Sequence, residues 1–275
     1  DTFQKDCIHA GKTTPRYHAE SRPPFVETEA AQRAIYLAEQ VGSPLFIVHI
    51  TTEEVCQALR KAREKGLHIF GETCTQYLTI TKEKLENNIF EEAAKYVCSP
   101  ALRDKNDVNY MWSAIANGTI SAIVSDHCGI SLNMKEAGRN DFTLIPNGAP
   151  GAADRISVIW TKGVVEGRIT KQKFVEVCST MPAKINGIYP RKGVIAVGSD
   201  ADIVIFDSNY HGKISLQENP NGVDYNIYEG TEIFGRPEIV LLRGNVVVEE
   251  AKFVGKIGCG NFIPSKPYAY CYGQY

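Results

Sequence analysis

The chain has 275 residues, 43% of them hydrophobic and 23% charged, with a net charge of −2. That balance excludes a disordered chain and gives no reason to look for nucleic acid or an acidic membrane as partner. No apolar run nears the ~20 residues of a membrane span, and the length allows one large domain or a domain with a smaller companion. The charged opening, Asp1 to Asp6, has no apolar segment behind it and does not read as a signal peptide. The absence of an initiator Met puts the true start elsewhere or implies processing.

Eight cysteines are present, and no two form a CxxC pair. They read as reduced, mostly buried thiols of a cytoplasmic protein.

In chain order, residues 1–27 are irregular and proline-bearing, with helix expected only at the very start. From Glu27 the apolar positions Ala31, Ala34, Ile35 and Ala38 share one helical face, and Gly42 is a plausible stop. Pro44 to Ile50 is a short continuous apolar run, the pattern of a strand buried on both faces. Thr51 with Glu54 can form a capping box, followed by the stripe Val55, Ala58, Leu59 and Ala62, with Gly66 closing the helix. His68 to Glu72 reads as a second strand, Asn109 to Asn117 as a helix, and Ile120 to Ser125 as a third buried strand. Strands alternating with helices predict β/α units and a parallel sheet.

Residues 129–151 read as loop. Two helices are expected at 152–166 and 170–180, the second capped by Thr170 with Phe174, Val175 and Val177 as its apolar residues. From Gly193 the character turns β-rich, with a hairpin about Arg243-Gly244-Asn245. A boundary at 192/193 follows, with a β portion over 193–275 and a tail from Gly255 of little regular structure that packs on a neighbouring subunit. A complete (β/α)₈ barrel takes ~250 residues. Only about three clear parallel strands precede residue 193, so the sheet is either small and open or the latter part of a barrel.

His49 and Asp126 each fall at the C-terminal end of a buried strand, where active sites form in parallel α/β proteins. Imidazole and carboxylate are both ligands for Zn²⁺ or a similar ion, and a carboxylate beside metal-activated water can carry its proton. A structural role for a lone strand-end histidine remains the alternative. His127 should point away from Asp126. Glu72, at the other strand end, could support the ligands, though a structural hydrogen bond is the plainer reading. His18 reads as a packed or hydrogen-bonded loop residue, and the cluster from Arg60 to Lys65 as a solvated helix face.

An ordered set of motifs goes further. Ser21-Arg22-Pro23, Ile47-Val48-His49, the run from Gly71 to Leu78, Tyr96 to Pro100 and Ser125-Asp126-His127-Cys128 come first. The run from Gly138 to Gly148, Pro150-Gly151, Pro182-Ala183-Lys184, Tyr189 to Gly193 and Gly198 to Asp202 follow. In this order, over residues 13–262, the chain resembles the dihydropyrimidinase and hydantoinase branch of the amidohydrolase superfamily, its C-terminal portion only.

That resemblance implies an α/β fold: the C-terminal part of a TIM-like (β/α)₈ barrel over 1–192, followed by part of a β-sandwich. It implies two zinc ions per complete active site, sharing a hydroxide that attacks the carbonyl of a cyclic amide. A dihydropyrimidine or 5-substituted hydantoin would open to an N-carbamoyl amino acid. His49 matches a ligand of one metal. Asp126 matches the catalytic aspartate, which binds the other metal and shuttles the proton. Ser99 and Asn147 match positions whose backbone groups bind the substrate, and a homotetramer or dimer is implied.

The departures are a missing His-x-His pair, carboxylated lysine, further histidine and oxyanion-stabilising tyrosine, all N-terminal to Asp1 in the family. Ala152-Ala153 also stands where an acidic residue is usual, and Gly129 where proline is usual. The alternatives are a non-catalytic assembly relative, or an inactive fragment that lacks the other ligands.

Overall fold

The computed structural model describes residues 2–266, which form two compact units. Of the described residues, the first unit takes those up to 155 and 213–231; the second takes 156–212 and 232–266. No helix among the described residues is long and apolar enough to cross a membrane.

The first unit opens with α1 (Thr2–His9), α2 (Tyr17–Glu20) and α3 (Pro24–Val41). Ala31, Ile35 and Ala38 are the buried face of α3, and Gly42 ends it at φ 64°, a left-handed conformation that suits glycine. The helix starts three residues before the expected Glu27, because Pro24 is well placed in a first turn. Next come β1 (Leu45–Ile47), α4 (Glu53–Glu64), β2 (Ile69–Cys74), α5 (Thr75–Thr79), α6 (Phe90–Ala94), α7 (Lys105–Ala116) and β3 (Ala122–Val124). The three strands form a parallel sheet in the order β1-β2-β3, with Ile47 opposite Gly71 and Cys74 opposite Val124.

The parallel β/α arrangement is as expected, but three strands are not a barrel, and no closed barrel forms among the described residues. β1 is also shorter than its apolar run and only half-buried, since it has β2 on one side alone. The core beneath the sheet is apolar: Val55 and Leu59 of α4, Met111 and Ile115 of α7, and Ile69 and Ile123 of the strands are all buried.

Local expectations fail at three places. Thr51 does not cap α4; Thr52 does, accepting from the Val55 N–H. Thr51 is instead bonded through its N–H and hydroxyl to the Glu27 carboxylate, and its hydroxyl accepts from Arg103 Nε at 2.8 Å. Arg63 is no solvated cation, because its guanidinium donates to the Ile69 and Gly118 carbonyls and to Ser121 Oγ. The span 129–151 also holds more than loop: α8 (Leu132–Lys135) and two 3₁₀ turns, Glu136–Gly138 and Phe142–Leu144.

In the second unit, α9 (Arg155–Ile159) continues as a π-helical segment, Trp160–Val165. α10 (Lys171–Val175) does the same through Glu176–Thr180, and α11 (Met181–Ile185) follows. Thr170 caps α10 as expected, with Lys173 N–H 3.1 Å from its hydroxyl. Phe174 and Val177 are buried, but Val175 is exposed. The β structure that follows the compositional shift at Gly193 starts only at Ile203. β4 (Ile203–Lys213), β5 (Glu232–Leu242), β6 (Asn245–Glu249) and β7 (Lys252–Phe253) form one sheet in sequence order.

Arg243 and Gly244 join β5 to β6 with φ of 49° and 79°, the two left-handed residues of a tight hairpin. Trp160 packs against Phe174 and Phe206 with ring centroids 5.4 and 4.5 Å apart. That ring cluster ties residues after 155 to the sheet, which explains why the units divide there. Gly235 leaves the room: a Cβ at that site would lie 2.7 Å from Phe206 and 2.8 Å from Trp160. From Gly255 to Lys266 there is little regular structure, as expected. The rest of the tail, with Cys271, lies outside the described residues.

Candidate active site

The carboxyl ends of the parallel strands carry the residues singled out by sequence. β1 ends at Ile47 and the chain turns at His49, φ 44°; β3 ends at Val124 and turns at Asp126, φ 47°. Left-handed backbone at a non-glycine residue is uncommon and costs energy unless its surroundings impose it. At His49 they do. The next residue, Ile50, donates its N–H to the Glu72 carbonyl at 2.8 Å, and its own carbonyl accepts from Thr73 Oγ1 at 2.7 Å. At Asp126 the following segment pairs with a second loop: His127 bridges Ala149, and Cys128 N–H donates to the Ala149 carbonyl at 3.0 Å. The His127 ring accepts from Gly151 N–H at 3.3 Å, so it braces that loop.

His49 is half-buried and Asp126 exposed. Between their strands, the Glu72 carboxylate accepts the His49 backbone N–H. Burial first, and then the Asp126 charge, push the Glu72 pKa up to about 7. Glu72 thus has the structural hydrogen bond that sequence favoured.

Ser99 and Asn147 lie on separate loops that the fold brings together. Both are exposed, and the Ser99 hydroxyl donates to Asn147 Oδ1 at 3.3 Å. Of their two supports, sequence marked His18 as packed or hydrogen-bonded, which it is, but gave no sign of Lys135. His18, in α2 rather than a loop, is buried and its Nε2 sits 2.8 Å from the Cys98 carbonyl, so it is the donor there. Lys135 reaches both loops from below with its ammonium. A lysine amid Asn133, Met134 and Glu136 carries no local sign of burial.

Among the described residues, no three His, Cys, Asp or Glu side chains group so as to hold a metal ion. The imidazole after β1 and the carboxylate after β3, on either side of β2, are each a ligand type for a divalent cation, and a cation at Asp126 would relieve its repulsion with Glu72. Cys56, Cys74 and Cys98 are buried, Cys7, Cys178 and Cys259 partly so, and Cys128 is exposed; all seven are free thiols.

A model of the amidohydrolase family matches residues 4–247. D-hydantoinase of Rhizobium radiobacter is 48% identical over 269 residues, 98% of this chain and 58% of that protein. A crystal structure of D-hydantoinase superposes with a TM-score of 0.95 at 45% identity, covering 98% of this chain and 58% of the other. The structure of dihydropyrimidinase from Brevibacillus agri NCHU1002 gives 0.91 at 44%, covering 93% and 55%. The chain therefore spans a little over half the length of these relatives. Matched by the family model over most of its residues, it belongs to the amidohydrolase family and stands beside the D-hydantoinases and dihydropyrimidinases.

Proposed function

We propose that this chain carries the C-terminal share of a metal-dependent site that opens cyclic amides to N-carbamoyl amino acids. The substrates are dihydropyrimidines or 5-substituted hydantoins. One observation supports this above others: His49 and Asp126, both ligand types, follow β1 and β3 in left-handed turns at the sheet's carboxyl edge. Strain of that kind collects at functional sites.

His49 would hold one zinc ion and Asp126 a second. Bound metal supplies Lewis acidity at the ring carbonyl and lowers the pKa of water. Asp126 takes the proton of the attacking water and returns it to the leaving nitrogen. The backbone groups of Ser99 and Asn147 pair with the alternating N–H and C=O groups of the ring. The other ligands must come from elsewhere, because two are too few for a tight dinuclear site. That favours a second reading for the isolated chain, namely little hydrolysis. In our reading the whole protein is a homo-oligomer, a dimer or tetramer.

Metal analysis and ring-opening assays on the protein at its full natural length test this. We expect about two zinc ions per chain and a roughly 10²–10⁴-fold loss of turnover in Asp126→Asn. His49→Ala should lose metal. Wild-type protein without metal, or normal ring opening by Asp126→Asn, would end the reading.

A further inference from the structure

Beneath the loops of Ser99 and Asn147 lies a cation that the proposed chemistry leaves unused. Lys135, the last residue of α8, is 0% exposed. Its Nζ donates to the carbonyls of Val97 at 3.1 Å, Pro146 at 3.0 Å and Gly148 at 2.9 Å. An ammonium has three protons, and here each has one acceptor. The acceptors fall two residues before Ser99 and on both sides of Asn147.

Holding a carbonyl fixes its whole peptide plane. In a trans peptide the C=O and the next N–H point in opposite directions. The cis bonds among the described residues are Ser99–Pro100 and Tyr189–Pro190, so Pro146–Asn147 and Cys98–Ser99 are trans. With the Pro146 oxygen drawn to Lys135, the Asn147 N–H is turned away from it. His18, holding the Cys98 oxygen, does the same for the Ser99 N–H. Neither N–H is bonded to another backbone group among the described residues. The two loops are also tied to each other, since Gly148 N–H donates to the Val97 carbonyl at 3.0 Å.

An ammonium is expensive to bury, and this one is spent on orienting backbone rather than on a carboxylate partner. Resting on the ring-opening reading above, we propose that Lys135 is a positioning residue. With His18, it sets the outward direction of the Asn147 and Ser99 N–H groups, so that they meet the two carbonyls of a cyclic ureide without reorganising. Binding groups oriented in advance cost less to order when the ligand arrives. The platform is therefore selective for rings that carry two carbonyl oxygens.

The test is Lys135→Met in the metal-loaded, full-length protein. Met matches the length of the lysine stem. The Val97 carbonyl keeps the Gly148 N–H, and the Gly148 carbonyl keeps the Tyr225 hydroxyl at 3.5 Å, so only Pro146 loses its partner. Binding is measured for dihydrouracil and for the cyclic urea of the same ring size whose second carbonyl is a methylene. We expect Lys135→Met to raise KM for dihydrouracil about tenfold, with a smaller change in kcat, and to weaken the one-carbonyl ring about threefold or less. Equal weakening of both rings, or an unchanged KM, overturns the proposal. Lys135→Gln, which keeps two donors, should fall between wild type and Met, and it serves if the Met variant does not fold.

A second readout needs no turnover. The backbone amide resonances, without ligand, should move in Lys135→Met at Asn147, whose preceding carbonyl Lys135 holds, and stay at Thr73; an unmoved Asn147 resonance also overturns it. If wild-type protein opens no cyclic ureide, the functional reading fails, and these resonances still decide the role of Lys135.

Discussion

His18 uses one ring nitrogen and leaves the other, Nδ1, buried without a partner. Burial, and then the charges of Arg22, Lys135 and Arg103 around it, lower its pKa to about 3; the bond to Cys98 opposes them. Between about pH 3 and its ordinary 6.5, the ring is neutral when folded and charged when unfolded. The unfolded chain then binds more protons, so stability is whole above about pH 6.5 and is lost as pH falls toward 3. His18→Gln, which keeps a donor for the Cys98 carbonyl, should flatten that fall. Urea unfolding at pH 7 and pH 5 measures it, and an equal drop in both proteins would count against the argument.

At this scale the candidate site was partly legible. His49 and Asp126 could be singled out as candidates because a strand end is a local pattern and both residue types are metal ligands. Lys135 and Arg63 could not, because their burial depends on carbonyls brought in from distant segments. Sequence treats an isolated lysine or arginine as solvated, and here tertiary contacts override that.

Elements were most legible where a single residue type does the work. Gly42, Gly66 and Gly118 all take positive φ at or just beyond helix ends, and Thr170 caps its helix. Strand lengths were less legible, since a strand ends where its pairing ends and not where its apolar run does. The π-helical stretches left no signature at all. Gly138 belongs here too. A Cβ on it would lie 2.5 Å from the Ile145 N and 2.8 Å from its Cα, backbone atoms that cannot swing aside. Gly138→Ala should therefore displace the turn leading to Asn147 and destabilise the fold by about 1–3 kcal/mol. Chemical denaturation checks this, and a change below about 0.5 kcal/mol, the range of neutral surface substitutions, would refute it.

For the whole molecule, parallel β/α units followed by antiparallel strands were readable from periodicity, because alternation and continuous runs differ in register. How far the sheet extends was not, since that depends on which strands lie beside β1 and β3. Among the described residues β1 pairs only with β2, and Val48 just beyond it is 44% exposed. A free row of amide and carbonyl groups next to apolar side chains is a template for another chain. Produced by itself at high concentration, this chain should cluster edge to edge, with light scattering that rises steeply with concentration. Val48→Lys should blunt that rise, because a charge on an open edge repels its copy. On this argument the short β1 strand, which leads to the turn at His49, is also the adhesive rim of the isolated chain.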